Sequence, residues 1–70
     1  MNLLYADEGK EYIVESVQTG DSELEAFLFS LGCYEGEPIT VILHLKGGCI
    51  VSIKDSRYHI DTQLAKAIII

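Results

Sequence analysis

The stretch that most constrains this chain is Leu31-Gly32-Cys33-Tyr34-Glu35-Gly36-Glu37-Pro38-Ile39-Thr40-Val41-Ile42. An amphipathic run ends where it begins, and an alternating run begins where it ends. Two glycines four residues apart mark a tight passage from a helix into a strand. Upstream, Ser22-Glu23-Leu24-Glu25 reads as a capping box, with the Ser22 hydroxyl accepting from the Glu25 amide. Asp21, Glu23 and Glu25 suit the positive end of a helix dipole. Leu24, Phe27, Leu28 and Leu31 recur at i, i+3, i+4 and i+7, which predicts one buried helical stripe over about 22–31. Phe29 lies off that stripe, and Gly32 is the stop signal.

Downstream, Ile39, Val41, Leu43 and Leu45 alternate with Thr40, Ile42, His44 and Lys46, so the odd positions are expected to face a core. Register arithmetic predicts a three-residue loop at Gly47-Gly48-Cys49, placing Leu45 opposite Val51 and Leu43 opposite Ile53. A two-residue loop at Asp55-Ser56 sets Ile53 against Tyr58 and Val51 against Ile60. Asp61 caps a short helical turn over about 62–66. Ala67 to Ile70 is a last strand, whose isoleucines must join the sheet to avoid aggregation. Lys10 to Gln18 is an early strand, with a bulge near Glu15-Ser16 returning Val17 to the core face. The sum is a mainly β chain: a small five-stranded barrel with one α-helix and one short helical turn, a single domain over residues 1–70.

Hydrophobic residues make up 49% of the chain, which suffices for a globular core and excludes a disordered class. The formal net charge is −6, with only five Lys and Arg, all dispersed. Nucleic acid and anionic membrane surfaces both demand a basic footprint, so neither is an expected partner. No run approaches the length that spans a bilayer, so direct membrane insertion is not expected. Met1 to Glu8 has neither a basic region nor a long apolar run, so no signal peptide is expected there. Cys33 and Cys49 form no C-x-x-C pair; they read as small core hydrophobes in a reduced, cytoplasmic setting.

Catalytic signatures are missing. The chain has no G-x-x-x-x-G-K-[ST] phosphate loop and no nucleophile elbow or triad pattern, so an enzyme is not expected. His44, His59, Cys33 and Cys49 are the soft donors, but no pair has metal-site spacing. The expected register puts both histidines on outward strand faces around Ser52, where they could share at most a weak surface site for Fe(II) or another divalent metal. No resident cofactor is expected. Partner contact rests on apolar side chains left outside the core: Phe29, Tyr34 between the glycines, and Ile42, with Ile50 similarly placed.

The order of motifs resembles the ferrous iron transport protein A (FeoA) family. The resemblance runs from Gly9, Tyr12 and Val14 through Leu31-Gly32 and Gly36 to the Ile39-Thr40-Val41 strand. It continues with Arg57-Tyr58-His59-Ile60, Leu64-Ala65, and Ile68 and Ile70. It implies an SH3-like barrel of five strands. It also implies a cytosolic accessory of the bacterial ferrous-iron transporter, docking on that membrane protein's cytosolic domain and modulating it without catalysis. The alternative is a metal-responsive regulatory or dimerisation module, which leaves a homo-oligomer open. Asp55 stands where the family commonly has glycine; aspartate tolerates the left-handed backbone that such a turn needs.

Overall fold

Strands form where β-branched and aromatic residues cluster. In the computed structural model, which describes all of residues 1–70, they are β1 (Glu11–Ile13), β2 (Ser16–Val17), β3 (Pro38–Leu45), β4 (Gly48–Ile53), β5 (Ser56–Asp61) and β6 (Ile68–Ile69). Two helices, α1 (Ser22–Ser30) and α2 (Thr62–Ala67), and a 3-10 turn over Leu3–Tyr5 complete the chain. The strands pair as a four-stranded antiparallel sheet in the order β1-β3-β4-β5, and as a two-stranded sheet of β2 with β6.

β1 and β2 are two halves of one bent run, and the bend joins the sheets. The Val14 N–H donates to the Glu37 carbonyl at 2.9 Å, while the next amide, Glu15, donates to Ile69 at 2.7 Å. Counted as one strand, they give five strands wrapped around a single core, the expected class. The expected bulge near Glu15-Ser16 is therefore a full change of partner, and Val17 does pack against the core. The terminal isoleucines join the sheet as anticipated: Ile68 is buried, and the Ile70 N–H donates to Met1 at 2.8 Å. Ala67, however, ends α2 rather than opening the strand. The Asp61 carboxylate caps α2 by accepting the Leu64 N–H at 2.8 Å, as the sequence predicts.

Both hairpins turn one residue earlier than periodicity predicts. The first reverses at Lys46-Gly47, so Leu45 pairs with Gly48 and His44 with Cys49. The register then shifts between Val41 and Leu43, leaving Ile42 as the extra residue of a β-bulge. This overturns the expected core face of β3. Ile39 and Val41 are buried, but Leu43 (44% exposed) and Leu45 (39%) face outward. The second hairpin reverses at Lys54-Asp55, with φ of 46° and 67°, the two positive values of a turn whose twist matches its strands. Val51 consequently faces Tyr58, and Cys49 faces Ile60.

The start of α1 also differs. Asp21, not Ser22, is the cap: its carboxylate accepts the Glu23 and Leu24 amides at 2.9 and 3.4 Å. A charged acceptor in extended backbone answers the helix dipole better than a hydroxyl inside the first turn. Of the predicted stripe, Leu28 is fully buried, Leu24 and Leu31 are half-buried, and Phe27 is 47% exposed. A nine-residue helix presents too short a face to cover all four.

Candidate functional site

The exit of α1 builds the most distinctive surface. Gly32 adopts φ +94°, and its N–H donates to Phe29 at 3.0 Å while Cys33 donates to Leu28 at 2.9 Å. These two bonds satisfy the last helix carbonyls and turn the chain sharply, which only glycine accommodates without strain. The turn carries Tyr34 back beside the helix. There its ring stacks on Phe29, with centroids 4.7 Å apart and planes inclined by 29°. Phe29 itself is 62% exposed. An offset aromatic pair of this kind holds two rings in place at little entropic cost.

A polar strut supports the pair. Lys54, at the β4–β5 turn, sits with its Nζ 5.6 Å from the Tyr34 ring centroid and 3.1 Å from Glu37 Oε1. The Lys54 ammonium, helped by Tyr34, holds the Glu37 carboxyl below its ordinary range, and Glu37 in turn raises the Lys54 ammonium. A Cβ on Gly32 would stand 2.9 Å from Lys54 Cδ and Cε, so the bare backbone also makes room for this strut.

Beside the stacked rings runs an open groove of about 310 Å³, lined by the apolar Val17, Phe29, Cys33 and Tyr34 and by the polar Ser16, Glu25 and Glu35. A second hollow, bordered by Ser22, Glu25 and Ala26, lies against Phe29 as well. Phe29 is thus a ridge between two hollows, and Glu25, one helical turn before it, borders both. Burial pushes the Cys33 thiol from 9.0 up to about 11, further from neutral pH, so the groove is lined there by a protonated thiol.

The structure brings Phe29 and Tyr34 together as a surface. Ile42 is half-buried at the β3 bulge and belongs to a different element. The soft donors are not brought together. His44 pairs with Cys49 and lies on the inner side, its Nε2 2.7 Å from the Ala6 carbonyl oxygen. His59 pairs with Ile50 on the outer face, and Ser52 lies opposite Arg57. The expected outward placement holds for His59 and is corrected for His44, which the same bulge that turns Leu43 out turns inward. No group of three or more His, Cys, Asp or Glu side chains is arranged to hold a metal ion. With one imidazole engaged, the other on the opposite face and both thiols buried, these residues do not fit a resident metal centre.

Periodicity missed the charge around this surface. Residues 15–37 contain Glu15, Asp21, Glu23, Glu25, Glu35 and Glu37 and no Lys, Arg or His. The rest of the chain holds five acids and five Lys or Arg, so the whole net charge of −6 belongs to this stretch. A count by segment rather than by chain would have found it.

A family model described as FeoA domain matches residues 1–70, the full chain. This chain belongs to the FeoA domain family. Among solved structures it is similar to an iron uptake regulatory protein (FeoA), with 28% identity over 97% of this chain and 91% of that one, at a TM-score of 0.84. It is also similar to Stenotrophomonas maltophilia FeoA complexed with zinc, described as a prokaryotic SH3 domain protein. That pair shares 22% identity over 99% of this chain and 87% of that one, at a TM-score of 0.86. A third is iron(II) transport protein A from Clostridium thermocellum, with 18% identity over 99% of this chain and 43% of that one, at a TM-score of 0.88. The last two establish the fold, and the barrel is SH3-like. No curated protein matches the chain. No helix is long and apolar enough to cross a membrane.

Proposed function

We propose that this FeoA-family chain is a small accessory protein of bacterial ferrous iron uptake. It docks on the cytosolic domain of the ferrous-iron transporter and modulates it by contact rather than by catalysis. Family membership over the full chain carries the reading. The relatives named for iron uptake regulation and iron(II) transport support it. Phe29, braced by Tyr34, is the proposed contact, with Ile42 a secondary one on the sheet. A partner that binds one conformation of the transporter better than another shifts its population by that difference in affinity, and no reacting group is needed. The cytoplasm is then the working compartment, and the protein needs no cofactor of its own.

Titration of the purified transporter cytosolic domain with this protein tests the reading. Binding is expected, and Phe29→Asp should abolish it while leaving the domain folded. A wild-type protein that fails to bind rejects the docking role. The zinc complex of the Stenotrophomonas relative favours a second reading, a metal-responsive module. The separated histidines weigh against it, and a rise in melting temperature with Fe(II) or Mn(II) would favour it.

A further inference from the structure

The groove beside Phe29 is lined by apolar side chains together with two carboxylates, and this combination selects an occupant. Val17, Phe29 and Tyr34 offer apolar lining to an aliphatic or aromatic side chain. Glu25 and Glu35 border it, and the one ion pair of the chain joins Lys54 to Glu37, at 3.1 Å. Glu25 and Glu35 therefore lack a cationic partner within the chain. The outer face of Phe29 is open as well, and an aromatic face attracts a guanidinium or ammonium.

We infer that this groove receives a cationic segment of a partner protein, with an apolar side chain seated beside the Phe29 ridge and flanking Lys or Arg side chains reaching Glu25 and Glu35. The inference rests on the docking reading only in taking this face as the docking face. A second copy of the chain is a poor occupant, because residues 15–37, which supply most of the groove, carry six acids and no cation, and the chain's five Lys and Arg are dispersed through the rest of the sequence. A divalent cation is a poor occupant too, because the only soft donor lining the groove is a buried thiol that stays protonated at neutral pH. Complementary charge at the rim of such a contact speeds association and sets partner choice, while the buried apolar anchor supplies most of the affinity.

Amide NMR of the full chain tests this with two synthetic probes. One is a short peptide of Leu, Phe, Lys and Arg; the other replaces every Lys and Arg with Glu. The basic peptide should shift Val17, Phe29, Cys33 and Tyr34, and its affinity should fall as salt is raised. Glu25→Lys with Glu35→Lys should weaken it about tenfold, while Glu11→Gln, remote from the groove, should leave it unchanged. Equal shifts with the acidic peptide, shifts confined to other residues, or an unaltered double variant would each overturn the inference. So would a concentration-dependent dimer that masks these amides. Parallel titration with the transporter domain separates the two readings. Binding that is lost in Phe29→Asp but survives salt and the double variant leaves docking and removes the cationic occupant. Peptide binding in the groove without transporter binding removes the transporter and leaves the groove.

Discussion

Gly48→Ala is the substitution that the β4–β5 crossing penalises most directly. Gly48 opens β4 opposite Asp61, where β5 runs into α2. A Cβ at this position would collide with the Ile60 carbonyl oxygen, and would stand 3.0 Å from Asp61 Cα and 3.1 Å from the Ile60 carbonyl carbon. All three are backbone atoms, so no change of rotamer relieves the overlap. The strands would have to part, and the Thr62 N–H bond to Gly47, 3.2 Å long, would open with them. Overpacking costs ~1–3 kcal/mol, and a lost hydrogen bond adds ~1 kcal/mol. The loss is then about 2–4 kcal/mol, against a total of ~4–10 kcal/mol for a domain of this size. At ~4–8 °C per kcal/mol for a small domain, the melting temperature should fall by roughly 8–32 °C. Circular dichroism melts with parallel urea titrations measure both quantities. A fall below ~5 °C would refute the tight crossing and return Gly48 to an open loop, where the extra methyl costs almost nothing.

The helix and the polar strut give three further outcomes. Leu28→Ala should cost ~2–5 kcal/mol because Leu28 alone in α1 is fully buried, whereas Phe27→Ala should cost under ~1 kcal/mol by urea titration. The Cys33 thiol is raised from 9.0 to about 11 in the fold, so burial disfavours its thiolate there. Its contribution is complete below pH 9 and is lost as pH rises toward 11, and stability should decline over that window and less steeply in Cys33→Ala. Glu37 is held low by Lys54, so their pairing contributes above the ordinary carboxylate range and is lost as pH falls through the depressed value. In Lys54→Met, a carboxyl-detected NMR titration should show Glu37 moving up toward its usual range.

The fold class was legible in the sequence because each element carries its own local marker. Asp61 before Leu64, the apolar tail Ile68–Ile70 and the Leu31-Gly32 stop are such markers, and each appears in place. Register was not legible. From Ile39 to Leu43 the chain is apolar at four of five positions, so no polar residue marks where the phase slips at Ile42. His44 misleads as well: it is polar yet inward, because the Ala6 carbonyl satisfies its ring and Glu8 Oε2 accepts its backbone N–H at 2.6 Å. Lys54 at positive φ carries no sequence signal at all, so periodicity puts the second turn one residue late. Of the candidate surface, the exposure of Phe29 was readable from helical spacing. Its stacking on Tyr34 depends on the left-handed turn at Gly32, which a helical wheel does not contain.

The two groups of exposed apolar side chains have different origins. Leu43 and Leu45 are turned outward by backbone geometry, since one inserted residue in β3 moves every later side chain to the other face. Phe27 and Phe29 flank the buried Leu28 on a helix, and a rotation of about 100° would bury one of them in its place. Fully burying a large apolar side chain is worth ~1.5–3 kcal/mol, but the exchange would expose Leu28, so burial alone does not decide for or against that rotation. It is resisted at the C-terminal end of α1, where the Cys33-to-Leu28 and Gly32-to-Phe29 bonds and the stack with Tyr34 fix the helical phase. The turn after α1, rather than hydrophobicity, therefore decides that Leu28 is buried and both aromatics meet solvent. Gly32→Ala should release that choice: its Cβ strains a φ of +94° and presses on the Lys54 stem. Increased solvent quenching of Tyr34 fluorescence, with α1 helicity retained, is the expected signature; an unchanged Tyr34 environment would show that the stack holds without the turn.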